Sequence, residues 1–296
     1  MFAITPSHLL LISVASIWGF AFVAQSAGMD YLEPHSFNAA RFVLGALSLV
    51  PLWLIMSRGK MPHGRTLWIG GLLAGCVMFG GFTFQQIGLL HTSAGNAGFI
   101  TGMYIVMVPI VGTLLGQSTN PQTWIGVVLA VLGLYSLTIG PDFKVNYGDF
   151  LELVGALFWT AHVLIIGWLS RKVDAISLSI CQFGVAAVLA ALFAITTESP
   201  SLTNFQAAWM PLLYAGIASS GIACTLQIIA QRKVEPSVTA LILSTEAVFA
   251  VIGGWLLLGE SMGSKQLLGC SLMLMGMLIS QWPVGRQRAL ATEGEG

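Results

Sequence analysis

Three ionisable residues stand within long apolar stretches of this sequence: Arg41, His162 and Glu246. A charged side chain at the centre of a hydrocarbon layer costs about 2.5 to 3.5 kcal/mol on insertion scales, so such residues are usually functional. Glu246 follows Pro236 by ten residues, which is about 15 Å along a helix and therefore near mid-membrane. Its carboxyl group could exchange protons or pair with an ammonium group. The alternative is a structural carboxyl that forms hydrogen bonds to a neighbouring helix.

The other two ionisable residues each allow a functional and a structural interpretation. Arg41 could bind a carboxylate through two parallel hydrogen bonds, or its guanidinium could extend outward to the membrane surface. His162 follows Trp159 by three residues, so both side chains share one face of a helix. An imidazole there could relay protons near neutral pH or serve only as a packing residue. Trp159 and Trp18 could stack on an aromatic or cationic solute, or pack between helices.

Polar residues concentrate in the same apolar stretches and complete a set of candidates for binding a solute or a proton. The set is Glu246, Arg41, His162, Trp18, Trp159, Gln25, Gln86, Asn96, Tyr104 and Gln182. Gln85, Thr101, Thr225 and Gln227 belong to the same polar helices. Because lipid offers no hydrogen bonds, we expect these polar faces to surround a central cavity.

The elements that must position these residues are membrane-spanning helices. Of the 296 residues, 56% are hydrophobic and 8% are charged, against about 25% charged in a typical soluble domain. The apolar blocks are each about 20 residues long, as a helix needs to cross a bilayer. The predicted spans are 8–28, 35–56, 67–90, 93–115, 121–140, 149–170, 175–197, 207–231, 236–258 and 264–283. The fifth and tenth spans hold few polar residues, so we expect both at the periphery.

Lysine and arginine in short loops indicate orientation, because they are retained on the cytoplasmic side during insertion. With ten spans, nine such residues fall on the side that holds both termini, and two fall on the opposite side. The nine are Arg58, Lys60, Arg65, Arg171, Lys172, Arg232, Lys233, Arg286 and Arg288, and the two are Lys144 and Lys265. Both termini are therefore predicted to be cytoplasmic.

The second half of the chain resembles the first at a shift of 141 to 143 residues. Trp18 matches Trp159, Arg41 matches Gln182, and the pair Gly126 and Gly133 matches Gly269 and Gly276. Each repeat holds five spans, an odd number, so the second repeat enters the membrane from the opposite side. The sequence thus predicts an all-α membrane protein with ten transmembrane helices in two inverted five-helix repeats, over 1–141 and 142–285, followed by a cytoplasmic tail at 286–296. Inverted repeats are typical of secondary transporters, whose substrate site lies at the repeat interface.

Several segments of the sequence resemble the drug/metabolite transporter superfamily, and specifically its ten-helix EamA-type members. The segments that carry the resemblance are Ser16–Gly19, Ala40–Phe42, Thr92–Thr101, Thr245–Ala250 and Leu257–Glu260. The resemblance covers nearly the whole chain and implies export or uptake of amino acids, nucleosides, drugs or similar metabolites. Ala247 stands where many members have proline, so a proline kink expected at that position would be absent.

Other classes of function have little support. The formal charge is zero, so there is no broad basic field to attract nucleic acid. The four cysteines fall singly in four spans, a pattern that indicates neither a metal site nor a disulfide framework. Neither an H-E-x-x-H motif nor a Walker A loop is present, and Ala218–Gly221 lacks the first glycine of a membrane serine protease motif. We therefore expect neither an enzyme nor a cofactor.

The sequence favours a multi-pass transporter of the cell (inner) membrane that moves small metabolites by alternating access, with export as the favoured direction. A membrane channel is the main alternative, and an intramembrane enzyme is a weaker one. The expected partners are a small-molecule substrate and membrane lipid, and a homodimer is left open.

Overall fold

The computed structural model describes residues 5–57, 64–92, 94–138, 147–257 and 263–280. Within these ranges the secondary structure is helical, with no strand. Buried and exposed residues are distributed as expected for a protein surrounded by lipid. Arg41, Asn38 and Gln182 are completely buried, whereas Leu114 and Ile195 are about four-fifths exposed. The all-α membrane fold predicted from composition is confirmed.

The first half of the chain forms six helices. They are α1 (Pro6–Gly28), α2 (Pro34–Ser57), α3 (Arg65–Gly88), α4 (Ala94–Gly102), α5 (Tyr104–Leu114) and α6 (Pro121–Thr138). Several begin with proline at the first position, where the missing N–H would have no intrahelical acceptor. Helices α4 and α5 together occupy the fourth predicted span.

The second half adds eight α-helices and one π-helical segment. They are α7 (Tyr147–Leu169), α8 (Ala175–Thr197), the short α9 (Leu202–Ala207) and α10 (Trp209–Leu213), a π-helix (Tyr214–Cys224), α11 (Thr225–Gln231), α12 (Pro236–Leu243), α13 (Glu246–Leu257) and α14 (Ser264–Ser280). In the described part of the chain, eight helical stretches are long and apolar enough to cross a membrane. The fifth and tenth predicted spans correspond to the shorter apolar helices α6 and α14. The predicted tail at 286–296 lies outside the described residues.

Matching helices of the two halves pack against each other in opposite directions. His35 lies against Phe193 and Phe42 lies against Phe183, so α2 and α8 are antiparallel. Helices α6 and α14 are also antiparallel, because Gly126 adjoins the carbonyl of Gly276 whereas Gly133 adjoins that of Gly269. These glycines are the ones that match in the two halves of the sequence.

Several other helix contacts occur in pairs that are related by exchanging the two halves of the chain. Helix α3 packs against α7 and α8, and its counterpart, the π-helix, packs against α1 and α2. Likewise α1 packs against α13, whereas α7 packs against α4 and α5. Exchanging the two halves therefore converts these contacts into one another.

Two helices are interrupted at corresponding positions. The break between α4 and α5 falls at Met103, and the break between α12 and α13 falls at Ser244 and Thr245. The hydroxyls of Ser244 and Thr245 donate to the carbonyls of Leu241 and Ile242, and such local bonds compete with the helical ladder. An interruption therefore occurs just before Ala247 although no proline is present.

Candidate functional site

A narrow cavity lies at the centre of the helix bundle, between α1, α3, α7 and the interrupted helices. It leaves room for only a few water molecules, so any larger solute requires the surrounding helices to move. None of the described side chains of α6 or α14 lies in its wall. The cavity is lined by Trp18, Ala21, Phe22, Gln25, Phe82, Gln85, Thr101, Tyr104, Trp159, His162, Val163, Ser219, Gln227, Leu243 and Glu246.

Glu246 is the acidic residue of this cavity. It is the first residue of α13, directly after the interruption, and it is 3% exposed. The Oη of Tyr104 donates to its Oε1 at 3.1 Å. Tyr104 is itself the first residue of α5. The two helix breaks therefore place an acid and its hydrogen-bond donor face to face at the cavity wall.

Arg41 is completely buried and lies just behind the cavity wall. Its guanidinium donates to Gln25 Oε1 at 2.7 Å and to the hydroxyls of Ser219 and Ser220 at 3.1 and 3.3 Å. It also contacts the carbonyl of Ala215 and stacks over the ring of Phe82, 4.1 Å from the ring centroid. All these partners are neutral. Among the described residues, the positive charge is thus compensated by dipoles and an aromatic ring rather than by a carboxylate.

A chain of amide side chains connects Arg41 to Trp159. Gln25 Oε1 accepts from both Arg41 Nη1 and Gln85 Nε2, the latter at 3.2 Å. Gln85 Oε1 in turn accepts from Trp159 Nε1 at 3.0 Å. Gln86 donates to the backbone carbonyl of Gln25 at 3.3 Å and lies outside the cavity lining. The hydrogen-bonded pair Gln25 and Gln85 thus joins the guanidinium of Arg41 at one end to the indole of Trp159 at the other.

His162 extends the polar wall beyond Trp159. The two rings meet edge to face with 5.9 Å between centroids, as their shared helix face predicts. His162 Nε2 lies 3.2 Å from Gln182 Oε1, whereas His162 Nδ1 and Gln182 Nε2 are buried without a hydrogen-bond partner. This site therefore retains unused hydrogen-bonding capacity beside the cavity.

The two tryptophans occupy matching sequence positions but make different bonds. Trp159 donates to Gln85, whereas Trp18 donates to the backbone carbonyl of Ser219 at 3.0 Å. The counterpart of Gln85 is Gln227, 142 residues later, whose Nε2 donates to Gln231 and whose Oε1 has no partner. The hydrogen bonding of the two halves is thus unequal in this conformation, and the π-helix, found in the second half only among the described residues, contributes to the difference.

The structure brings six of the ten candidate residues to the cavity and leaves three behind its wall. Trp18, Gln25, Tyr104, Trp159, His162 and Glu246 line it, and Arg41, Gln86 and Gln182 form the layer behind. The side chain of Asn96 lies outside the described residues. Lining residues that were absent from the candidate set include Phe82, Gln85, Ser219 and Gln227.

Glu152, which is absent from the candidate set, is a completely buried carboxyl near the start of α7. This position is close to the predicted start of the sixth span, where an acidic side chain ordinarily reaches water. The sequence therefore does not indicate that Glu152 is buried. Among the described residues, no group of three or more His, Cys, Asp or Glu side chains is placed to bind a metal ion.

The fold and the cavity together define a multi-pass helical membrane protein with a narrow, partly polar cavity between its helices. The model of the EamA-like transporter family matches the chain twice, over residues 5–139 and 146–281. The chain belongs to this family.

Similar proteins agree with this assignment. The chain is 32% identical to a protein of Archaeoglobus fulgidus named an uncharacterized transporter, over 90% of this chain and 82% of that one. It is 25% identical to the uncharacterized transporter YoaV of Bacillus subtilis, over 94% and 97%. It is 23% identical to the uncharacterized inner membrane transporter YedA of Escherichia coli K12, over 91% and 88%. One crystal structure matches the fold with a TM-score of 0.77 at 18% identity, over 93% of this chain and 98% of that one.

Proposed function

We propose that this chain is a carrier that exports small metabolites, such as amino acids, drugs or related solutes, across the cytoplasmic membrane by alternating access. The observation that carries the proposal is the narrow central cavity with Glu246 in its wall and Arg41 behind it. Because that cavity is too narrow for a metabolite, transport requires a change of conformation. A channel would instead need a continuous wet path.

The distribution of charge and aromatic groups suggests a substrate class. A buried guanidinium with neutral partners can pair with a carboxylate, and Glu246 can pair with an ammonium group. Trp18, Trp159 and Tyr104 offer ring faces and edges to an apolar or cationic portion of the solute. These groups suit a zwitterionic or cationic solute that carries an apolar side chain.

The proposed architecture is two inverted repeats, over 1–141 and 142–285, that cross the membrane ten times. The two matches of the family model support this division, as do the antiparallel contacts between corresponding helices. Nine basic residues on the side of the termini, against two on the opposite side, support cytoplasmic termini. Several of these residues lie outside the described ranges. Two such halves could expose the shared cavity alternately to each side.

Counterflow in proteoliposomes tests the proposal. The purified protein is reconstituted, loaded with each unlabelled member of an amino-acid and drug panel, and supplied outside with a trace of the same labelled solute. A carrier should give transient, saturable accumulation for at least one solute, and Gly184→Ala should retain it, because a Cβ at that position meets nothing within 4 Å. Solute flux without counterflow would favour a channel, and absence of flux across the panel would contradict the proposed substrate class. Export is tested separately by comparing inside-out with right-side-out vesicles.

A further inference from the structure

Glu152 is a second acidic residue within the membrane-spanning bundle, and the proposed transport cycle does not yet use it. It lies on α7 and is completely buried. Asp149, one turn earlier on the same helix, is 6% exposed and accepts a hydrogen bond from Thr92 Oγ1 at 2.7 Å. Residues three apart on a helix are neighbours on its surface. The two acids therefore lead from the end of α7 towards the interior.

The two oxygens of Glu152 have different surroundings. Oε2 accepts from Thr101 Oγ1 at 3.0 Å, whereas Oε1 is buried without a hydrogen-bond partner. The space beside Oε1 exists because residue 88 is glycine, since a Cβ there would lie 2.7 Å from that oxygen. The carboxyl thus occupies a fitted site between α3, α4 and α7 with one oxygen left open.

An ionised carboxylate in this site would be poorly stabilised. Among the described residues its one hydrogen-bond donor is a neutral hydroxyl, and a buried charge without a partner of opposite charge is costly. A proton on Oε1 removes that cost without displacing any neighbour. The site therefore suits a group that binds a proton in this conformation and releases it when the packing around it changes.

Helix α4 and the start of α5 connect this site to the cavity. Thr101 donates to Glu152, and Tyr104, three residues later, donates to Glu246. The interruption at Met103 lies between them. A change in the bend at Met103 would alter the hydrogen bond of one acid relative to that of the other. The two carboxyls are therefore mechanically linked through a single broken helix.

We propose that Glu152 is a second proton-binding carboxyl of this protein, linked to Glu246 through Thr101 and Tyr104 across the break in the fourth span. A role of Glu152 in coupling rests on the proposed carrier function, whereas proton binding by Glu152 can be measured without a substrate. Binding forms an O–H bond at Oε1 with a proton that enters from water along Asp149, and in the coupled cycle that proton is released towards the central cavity, which Thr101 also lines. With cytoplasmic termini, that end of α7 faces outside, so the protons come from the external medium.

The titratable groups near this path come from several elements. Asp149 precedes Glu152 on α7, and His91, just after α3, adjoins Gly148 at the start of α7. Tyr104 approaches from α5, and His162 and Glu246 face the same central cavity. A measurement must therefore identify Glu152 individually.

Infrared spectroscopy of the full-length protein in lipid vesicles provides that identification. The carbonyl stretching band of a protonated carboxyl disappears when the proton leaves, so acid-minus-alkaline difference spectra should contain a band that Glu152→Gln removes. Glu235→Gln, which alters an exposed acid, should leave that band in place. Glu246→Gln and Thr101→Val should each change the pH midpoint of the Glu152 band.

Transport provides the second readout, with the solute that gives counterflow in the wild-type protein. Glu152→Gln should abolish accumulation driven by a proton gradient while exchange of solute for solute continues. Loss of exchange together with accumulation in a folded variant would overturn the coupling role, and so would undiminished gradient-driven accumulation. If the panel gives no counterflow, the carrier proposal fails while the infrared titration still decides whether Glu152 binds a proton.

Three infrared results would overturn the proposal. The first is a difference spectrum that Glu152→Gln leaves unchanged. The second is a band that titrates only with sodium present and not with choline in its place, which would indicate a cation site. The third is a midpoint that neither Glu246→Gln nor Thr101→Val alters, which would remove the link between the two acids. If Glu152→Gln does not fold, Thr101→Val carries the same test, because it keeps the carboxyl and removes its donor.

Discussion

Tyr104 donates a hydrogen bond to Glu246 at 3.1 Å, and the two residues are 142 positions apart, which is the shift that relates the two halves of the sequence. Phe42 and Phe183, 141 positions apart, stack in the same way with 6.4 Å between ring centroids. A two-fold axis brings equivalent residues together only where it passes between them. Glu246 therefore lies close to the pseudo-two-fold axis that these two contacts indicate.

Tyr104→Phe tests the importance of this contact for stability. Losing the hydroxyl leaves a buried carboxyl oxygen of Glu246 without its donor, which typically costs about 1 to 3 kcal/mol. We expect a lower melting temperature in detergent and in lipid. Tyr135→Phe on the exposed face of α6 is the matched control, since its side chain is 58% exposed and its ring remains.

A double-mutant cycle completes that test. Tyr104→Phe combined with Glu246→Gln should destabilise less than the sum of the two single changes, because interacting residues are not additive. Strict additivity would mean that the two side chains do not interact in the membrane.

Gly133→Ala tests the packing of α6 against α14. A Cβ at residue 133 would lie 2.6 Å from the carbonyl oxygen of Gly269, too close for the backbones to keep their separation. Overpacking of this kind costs about 1 to 3 kcal/mol, so the melting temperature should fall. Gly184→Ala adds the same methyl group where a Cβ meets nothing within 4 Å and should not destabilise. Equal melting temperatures of Gly133→Ala and Gly184→Ala would argue against the close contact between α6 and α14.

The helices could be predicted from the sequence because each apolar block has the length that lipid demands, as the block at 67–90 and the helix Arg65–Gly88 illustrate. The details of the cavity could not be predicted from the sequence. Gln85 and Gln86 are adjacent, and only the rotation of α3 decides that Gln85 lines the cavity. The breaks at Met103 and Ser244 lack a proline to indicate them. The unequal bonds of Gln85 and Gln227 depend on the conformation, which two similar sequence repeats cannot specify.

Reporter fusions test the proposed topology. Fusions after residues 62 and 290 should report the cytoplasm, and a fusion after residue 202 should report the outside, because the basic loops are retained inside. Paired alkaline phosphatase and green fluorescent protein fusions give opposite signals on the two sides and control for expression. A cytoplasmic signal after residue 202 would contradict the inverted arrangement of ten spans.

Glu246→Gln tests the chemistry of the cavity, because it keeps the shape of the side chain while fixing it in a neutral state. If Glu246 carries coupling protons, accumulation driven by a proton gradient should collapse. Exchange of solute for solute, which needs no net change in protonation, should persist. If Glu246 instead pairs with a substrate ammonium group, both activities should fall and the apparent affinity should weaken. We expect a direct role of one of these two kinds.

Glu235→Gln is the matched control for this change, since it removes an exposed carboxylate before α12 and should leave both activities intact. A structural role predicts a different pattern. The purified Glu246→Gln protein would then transport normally but melt at a lower temperature, because losing one buried hydrogen-bonding partner costs about 1 to 3 kcal/mol. Normal gradient-driven transport with unchanged substrate affinity would exclude Glu246 from the mechanism. It would also leave the charge of Arg41, with its neutral partners, as the principal means of recognising the solute.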